Sequence, residues 1–132
     1  MRAVLADTGP LYALVDPSDQ YHVRARGEMK RLQEEQAALA VAFPTLLETQ
    51  KLILQRLGVR VAQRWTDEIL DGVDLVNPHR EDYLKASGRI HQLPDQSITL
   101  FDAVLAVLAE QLRFPVWTYD HHFDRMRTPV WR

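Results

Sequence analysis

The chain has 132 residues, 46% of them hydrophobic and 26% charged, which suits one domain with its own core and excludes a disordered chain. With 16 Lys and Arg against 18 Asp and Glu the formal net charge is -2, so bulk charge does not single out nucleic acid as a partner, and the lack of cysteine excludes disulfides, thiolate metal sites and cysteine nucleophiles. The longest uninterrupted apolar stretch, Ala103 to Ala109, is far too short to span a bilayer, and Met1-Arg2 leads into strand-like sequence without a secretory pattern, so the expectation is a cytoplasmic protein with no membrane contact.

Val4 to Ala6 reads as a short buried strand, broken by Thr8-Gly9-Pro10 before a helical turn through Leu11 and Leu14. Asp16-Pro17-Ser18-Asp19 is a loop, and Tyr21, Ala25, Met29 and Leu32 recur at helical spacing to about Gln36. Ala38 to Phe43 is the next strand. Pro44 opens a helix through Leu57, Gly58 stops it, and Val61, Trp65 and Ile69 mark another helix ending near Gly72. A third strand covers Val73 to Val76, a helix His79 to Gln92, and a loop Pro94 to Gln96. Thr99 to Arg113 is the most apolar helix, Pro115 to Tyr119 a fourth strand, and Pro129 to Trp131 a fifth at the edge.

Strands alternating with helices across short loops predict an α/β domain spanning 1–132, with a parallel sheet of four to five strands covered by helices on both faces. Its strand C-termini and helix N-termini share one edge. Asp7 and Asp120 end apolar strand segments, and Glu48 and Asp102 fall at helix starts, so all four project there. Each acid singly also fits a helix cap: Thr45-x-x-Glu48 and Thr99-x-x-Asp102 resemble capping boxes, and Asp7 and Asp120 suit an N-cap. Capping does not explain their meeting. Two carboxylates roughly 4 Å apart repel by on the order of 4 kcal/mol at an effective dielectric of about 20. A hard cation relieves that repulsion, and Mg²⁺ or Mn²⁺ suits an all-oxygen site that takes substrate phosphates as further ligands.

At these residues the chain resembles the PIN-domain ribonucleases, most closely the VapC-type toxins of toxin–antitoxin pairs. Asp7-Thr8-Gly9-Pro10-Leu11 is similar to the family's opening aspartate motif, and Thr45-Leu46-Leu47-Glu48, followed by Arg56-Leu57-Gly58, to its second acid. Thr99-Leu100-Phe101-Asp102-Ala103 is similar to the third motif, and Thr118-Tyr119-Asp120-His121-His122-Phe123 to the fourth. The resemblance implies a three-layer PIN fold, metal-dependent cleavage of RNA, a homodimer, and inhibition by a small antitoxin protein. It assigns Asp7, Glu48 and Asp102 to the metal core and Asp120 to an outer or second-metal position, with Asp124 as a substitute for Asp120.

Thr8 and Thr118 are candidates to orient water or carboxylates, against the ordinary role of Thr in turns. His121 and His122 read as structural or exposed rather than as a general base, Asp95 as a loop residue near the rim, and His22 as solvated. Two basic groups, Arg24, Arg26, Lys30 and Arg31 and then Arg56, Arg60 and Arg64, read first as solvated helix faces. A dehalogenase-type phosphatase fails because it needs an aspartate where Gly9 stands, and a receiver domain fits poorly because after the third strand, which ends at Val76, only Asn77 stands for its acceptor. The remaining alternative is a catalytically silent PIN domain that binds RNA or protein.

Overall fold

Strands and helices alternate along the chain in the computed structural model, which describes residues 2–132. The order is β1 (Ala3–Ala6), α1 (Thr8–Val15), α2 (His22–Glu34), β2 (Ala38–Ala42), α3 (Phe43–Leu57), α4 (Val59–Gly72), β3 (Asp74–Val76), α5 (Arg80–Gln92), α6 (Leu100–Leu112), β4 (Val116–Trp117) and α7 (His122–Arg125). All pairings are parallel, and the strands lie in the order β3-β2-β1-β4. The sheet therefore reverses its direction of growth between β1 and β4, where open α/β sheets form a crevice at the strand carboxyl ends.

Period-two alternation sends successive residues of each strand to opposite faces. Val4, Ala6, Val41 and Trp117 join Leu11, Ile53 and Trp65 from α1, α3 and α4 in one apolar layer. Leu5, Ala40, Ala42 and Val116 join Ala86 from α5, the α6 run Ala103 to Ala109, and Phe123 in the other. The α6 run is entirely buried, which is why its sequence shows no polar stripe. Among the described residues no helix is long and apolar enough to cross a membrane.

Several boundaries differ from the sequence reading, and β4 is confined to Val116–Trp117. Helix α1 begins at Thr8 and runs through Gly9-Pro10, because the first helical N–H groups have no intrahelical partner and proline loses nothing there. The fifth strand reduces to a single parallel bridge between Val116 and Val130. Residues after Asp120, given no element in the sequence reading, form α7, which buries Phe123 completely. Between α3 and α4 the chain turns on Gly58 alone, whose φ of +92° is strained for any side-chain-bearing residue.

Candidate active site

Parallel pairing of β1 and β4 brings the residues that follow each strand side by side, and the Asp7 N–H donates to the Trp117 carbonyl at 2.9 Å. Asp7 caps α1: its Oδ1 accepts the Thr8 N–H at 2.8 Å, and its Oδ2 accepts the Thr118 hydroxyl at 2.7 Å. The carboxyl is 7% exposed. Burial pushes it up to about 6, aided by the charges of Glu48 and Asp120 and opposed by the hydrogen bonds from Thr118 and Thr8. Asp7 is thus both a cap and a strained acid. Thr118, itself buried, also accepts the Asp120 N–H at 2.9 Å, so one hydroxyl fixes both strand-end acids.

Glu48 is not a capping residue. Helix α3 starts at Phe43, after an Ala42 N-cap without a side-chain cap, so Glu48 lies in the second turn rather than the first. There it accepts the Thr8 hydroxyl at 2.5 Å, with Thr49 Oγ1 3.1 Å from the same hydroxyl. At the start of α6, Thr99 accepts the Asp102 N–H at 3.2 Å, half of a capping box. The Asp102 carboxyl faces the other acids instead. Burial, then Asp7, Asp120 and Glu48, push it up to about 8, and in its protonated form it donates to Asp120. For Asp120, burial is outweighed by the His122 N–H, the bond from Asp102 and the His122 charge, which together hold its carboxyl below the usual range.

Asp120 is not an N-cap either. Its Oδ1 accepts the His122 N–H at 2.9 Å, two residues ahead, and so shapes the turn into α7. That turn brings His122 inward: its ring nitrogen Nδ1 lies 3.0 Å from Asp120 Oδ1, without hydrogen-bond alignment, and the side chain is 17% exposed. The reading of His122 as a merely structural or exposed histidine is therefore incomplete. Ligand atoms of Asp102, Asp120 and His122 all lie within 4.8 Å of one another. His121 matches the expectation of exposure, at 72%.

Asp7, Thr8, Glu48, Asp102 and Asp120 line one cleft of about 750 Å³. The carboxylates of Asp7, Glu48, Asp102 and Asp120 on one cleft form an oxygen donor set that fits Mg²⁺ or Mn²⁺, with the His122 imidazole beside two of them, and the crowded acids are the feature a cation would relieve. Asp124 is not brought there: it lies on α7, more than half exposed, in an ion pair with Arg132. Asp95 is exposed on the loop before α6 and lies outside the cleft lining. His22 is not simply solvated, since its Nδ1 meets the Ala13 carbonyl at 2.7 Å and ties α2 to α1.

The cleft also exposes Lys51, Gln55, Phe101 and Tyr119, which the sequence reading did not single out. Lys51 was findable, since it lies three residues after Glu48 on the same face of α3; it is the one Lys or Arg on the cleft wall among the described residues. The basic groups are not uniform either. The guanidinium carbon of Arg31 lies 4.1 Å from the Trp131 ring centroid, and that of Arg56 5.2 Å from Tyr12, whereas Arg60 and Arg64 stay exposed on α4.

The PIN domain family model matches residues 4–129. A search of curated protein sequences finds no match. Among solved structures, the chain is similar to Mycobacterium tuberculosis VapC20, a Sarcin-Ricin loop cleaving toxin, with a TM-score of 0.84, 19% identity and 98% of each chain covered. VapBC2 from Rickettsia felis bound to a promoter DNA fragment follows at a TM-score of 0.76 and 13% identity, covering 98% of this chain and 97% of that one. VapBC-1 from nontypeable Haemophilus influenzae has a TM-score of 0.73 and 17% identity, covering 98% and 96%.

Proposed function

The chain belongs to the PIN domain family, and on that premise we propose that it is a Mg²⁺- or Mn²⁺-dependent endoribonuclease, the toxin of a VapBC-type pair. The observation that carries the reading is the convergence of Asp7, Glu48, Asp102 and Asp120 on one open cleft, with Asp7 and Asp102 both pushed above the usual carboxylate range. A purely structural cluster gains nothing from such crowding. Perturbed acids in a cleft are the ordinary mark of a site that uses them.

Asp7, Glu48 and Asp102 would hold the cation, with Asp120 completing the set and Asp124 excluded by its place on α7. A divalent cation supplies charge for a phosphate oxygen and acidifies a water for in-line attack on phosphorus. The chain's own groups supply the rest. Thr118 and the Thr8 N–H fix the Asp7 carboxyl from both oxygens, so its lone pairs keep one orientation. The Thr8 hydroxyl holds one oxygen of Glu48. Asp102, pushed up to about 8 without a cation, would be held as the carboxylate by a bound one. Lys51 offers the one ammonium on the wall to receive a phosphate.

Partners belong to the same proposal. RNA is the substrate, and a small antitoxin protein and a second copy of the chain are the expected partners, a reading supported by the likeness to VapBC2 and VapBC-1. Leu47, Leu100 and Phe101, exposed by 63%, 46% and 41% beside the cleft, provide apolar surface that such partners would cover. A cytoplasmic location follows from this role. The test is cleavage mapping on total RNA with and without Mn²⁺, comparing the wild type with Asp7→Asn. Defined cuts that vanish in EDTA and in the variant are expected. RNA binding without any cuts would favour the silent binding module.

A further inference from the structure

Arg24 is set apart from the other basic residues of α2 by what holds it. Glu28, one turn further on, is only 13% exposed at its side chain and receives three donors: the Tyr119 hydroxyl at 2.5 Å, Trp117 Nε1 at 3.2 Å and Arg24 Nε at 3.4 Å. The first two lie in and just after β4, so Glu28 ties α2 to the segment that carries Asp120. The Arg24 guanidinium carbon lies 4.5 Å from the Tyr119 ring centroid and 5.9 Å from that of Tyr21, and the two rings are 4.6 Å apart. More than half of the Arg24 side chain stays exposed. Tyr119 itself lines the acid cleft and passes over Gly9, where an added Cβ would lie 3.6 Å from its ring. Arg26, two residues on, lines a separate depression with His22 and Lys30.

We propose that Arg24 is a specificity-determining residue that stacks the base of an unpaired nucleotide entering the acid cleft, with Glu28 and Tyr119 as the residues that position it. The inference rests on the ribonuclease reading and concerns how the rim of the cleft selects an unpaired base. A base fits better than a phosphate for two reasons. The Nε–H points at the Glu28 carboxylate while the guanidinium carbon lies over the Tyr119 ring, so Arg24 extends an aromatic platform, and neighbouring acids that repel a phosphate do not repel a neutral base. Guanidinium planes and aromatic rings are the usual platforms for splayed bases, and a base inside a duplex has no face left to offer.

The test compares a short unstructured RNA with its abasic counterpart, which has the same phosphates and no bases, by fluorescence anisotropy in EDTA so that no cleavage intervenes. Wild type should prefer the RNA with bases, and Arg24→Ala and Arg24→Lys should each reduce that preference by about 5- to 100-fold, the range of one lost stacking contact. Because more than half of the Arg24 side chain is exposed and Glu28 keeps its bonds from Tyr119 and Trp117, both variants should fold, which a cooperative thermal melt checks. Three results overturn the proposal: equal binding of the two oligonucleotides, no binding of either, or a lysine variant that restores full preference and so marks a charge contact. Cleavage of total RNA by the wild type in Mn²⁺ is read separately. Cleavage without base preference removes Arg24 stacking and keeps the nuclease, whereas base preference without cleavage does the reverse.

Discussion

Replacing Asp102 by Asn separates a crowded cation site from a set of helix caps, because the two give opposite signs for the same change. The Asp102 carboxyl is pushed up to about 8 by burial and then by Asp7, Asp120 and Glu48, against 3.8 in the unfolded chain. Between those values the folded state holds a proton that the unfolded state releases. Stability of the cation-free protein should therefore fall as pH rises from about 4 to about 8, and level off above. At pH 7 the interval of about 3 pH units corresponds to roughly 4 kcal/mol. Because the side chain is only partly buried, screening by water and salt reduces this to about 1–3 kcal/mol. Asparagine does not titrate, and its amide can donate to Asp120 as the protonated carboxyl does. Urea unfolding in EDTA should show Asp102→Asn matching the wild type near pH 4 and exceeding it by that amount at pH 7. Mg²⁺ or Mn²⁺ should then stabilise the wild type by mass action and the variant hardly at all. A capping role instead predicts a loss of about 0.5–1 kcal/mol with or without cation. A variant less stable at every pH, with no cation effect on the wild type, would refute the site.

Cleavage should cease in EDTA, and Asp7→Asn should lower the rate by orders of magnitude while His122→Ala costs much less; equal losses would reinstate a histidine base, measured by initial rates on a labelled RNA. Thr118→Val should cost about 1–3 kcal/mol in urea unfolding, since it strands both an Asp7 oxygen and the Asp120 N–H, and an unchanged midpoint would mean water replaces the hydroxyl. Lys51→Ala should reduce the slope of log affinity against log salt by about 1, as loss of one phosphate contact does, whereas an unchanged slope returns Lys51 to solvent. Phe123→Ala should destabilise by about 3–5 kcal/mol, because the ring is fully buried beneath α6, and a loss under about 1 kcal/mol would mean α7 is not locked in place.

Order and type of the main elements were legible in the chain, because alternating apolar strands and 3.6-residue periodicity are local properties of sequence. Thr99 to Arg113 stood out as the most apolar helix, and its run Ala103 to Ala109 is buried all round. The placement of Asp7, Glu48, Asp102 and Asp120 at one edge followed from the parallel sheet that such alternation demands. Other features depend on contacts between residues far apart in sequence. Glu48 looked like a capping acid because Thr45-x-x-Glu48 has the spacing of a capping box, although Pro44 marks the helix start ahead of it, and only its approach to Thr8, 40 residues away, shows what it does. Asp120 and Asp124 are equivalent acids on paper; α7 turns one toward His122 and Asp102 and the other toward Arg132. Arg24 and Arg26 are likewise alike until Glu28 meets Tyr119 and Trp117, 91 and 89 residues further on. Sequence determined which residues end strands and start helices, since that is fixed by burial along each element. Only the tertiary structure decided which carboxylates share protons and which cation is stacked, since charge and hydrogen bonding act across space.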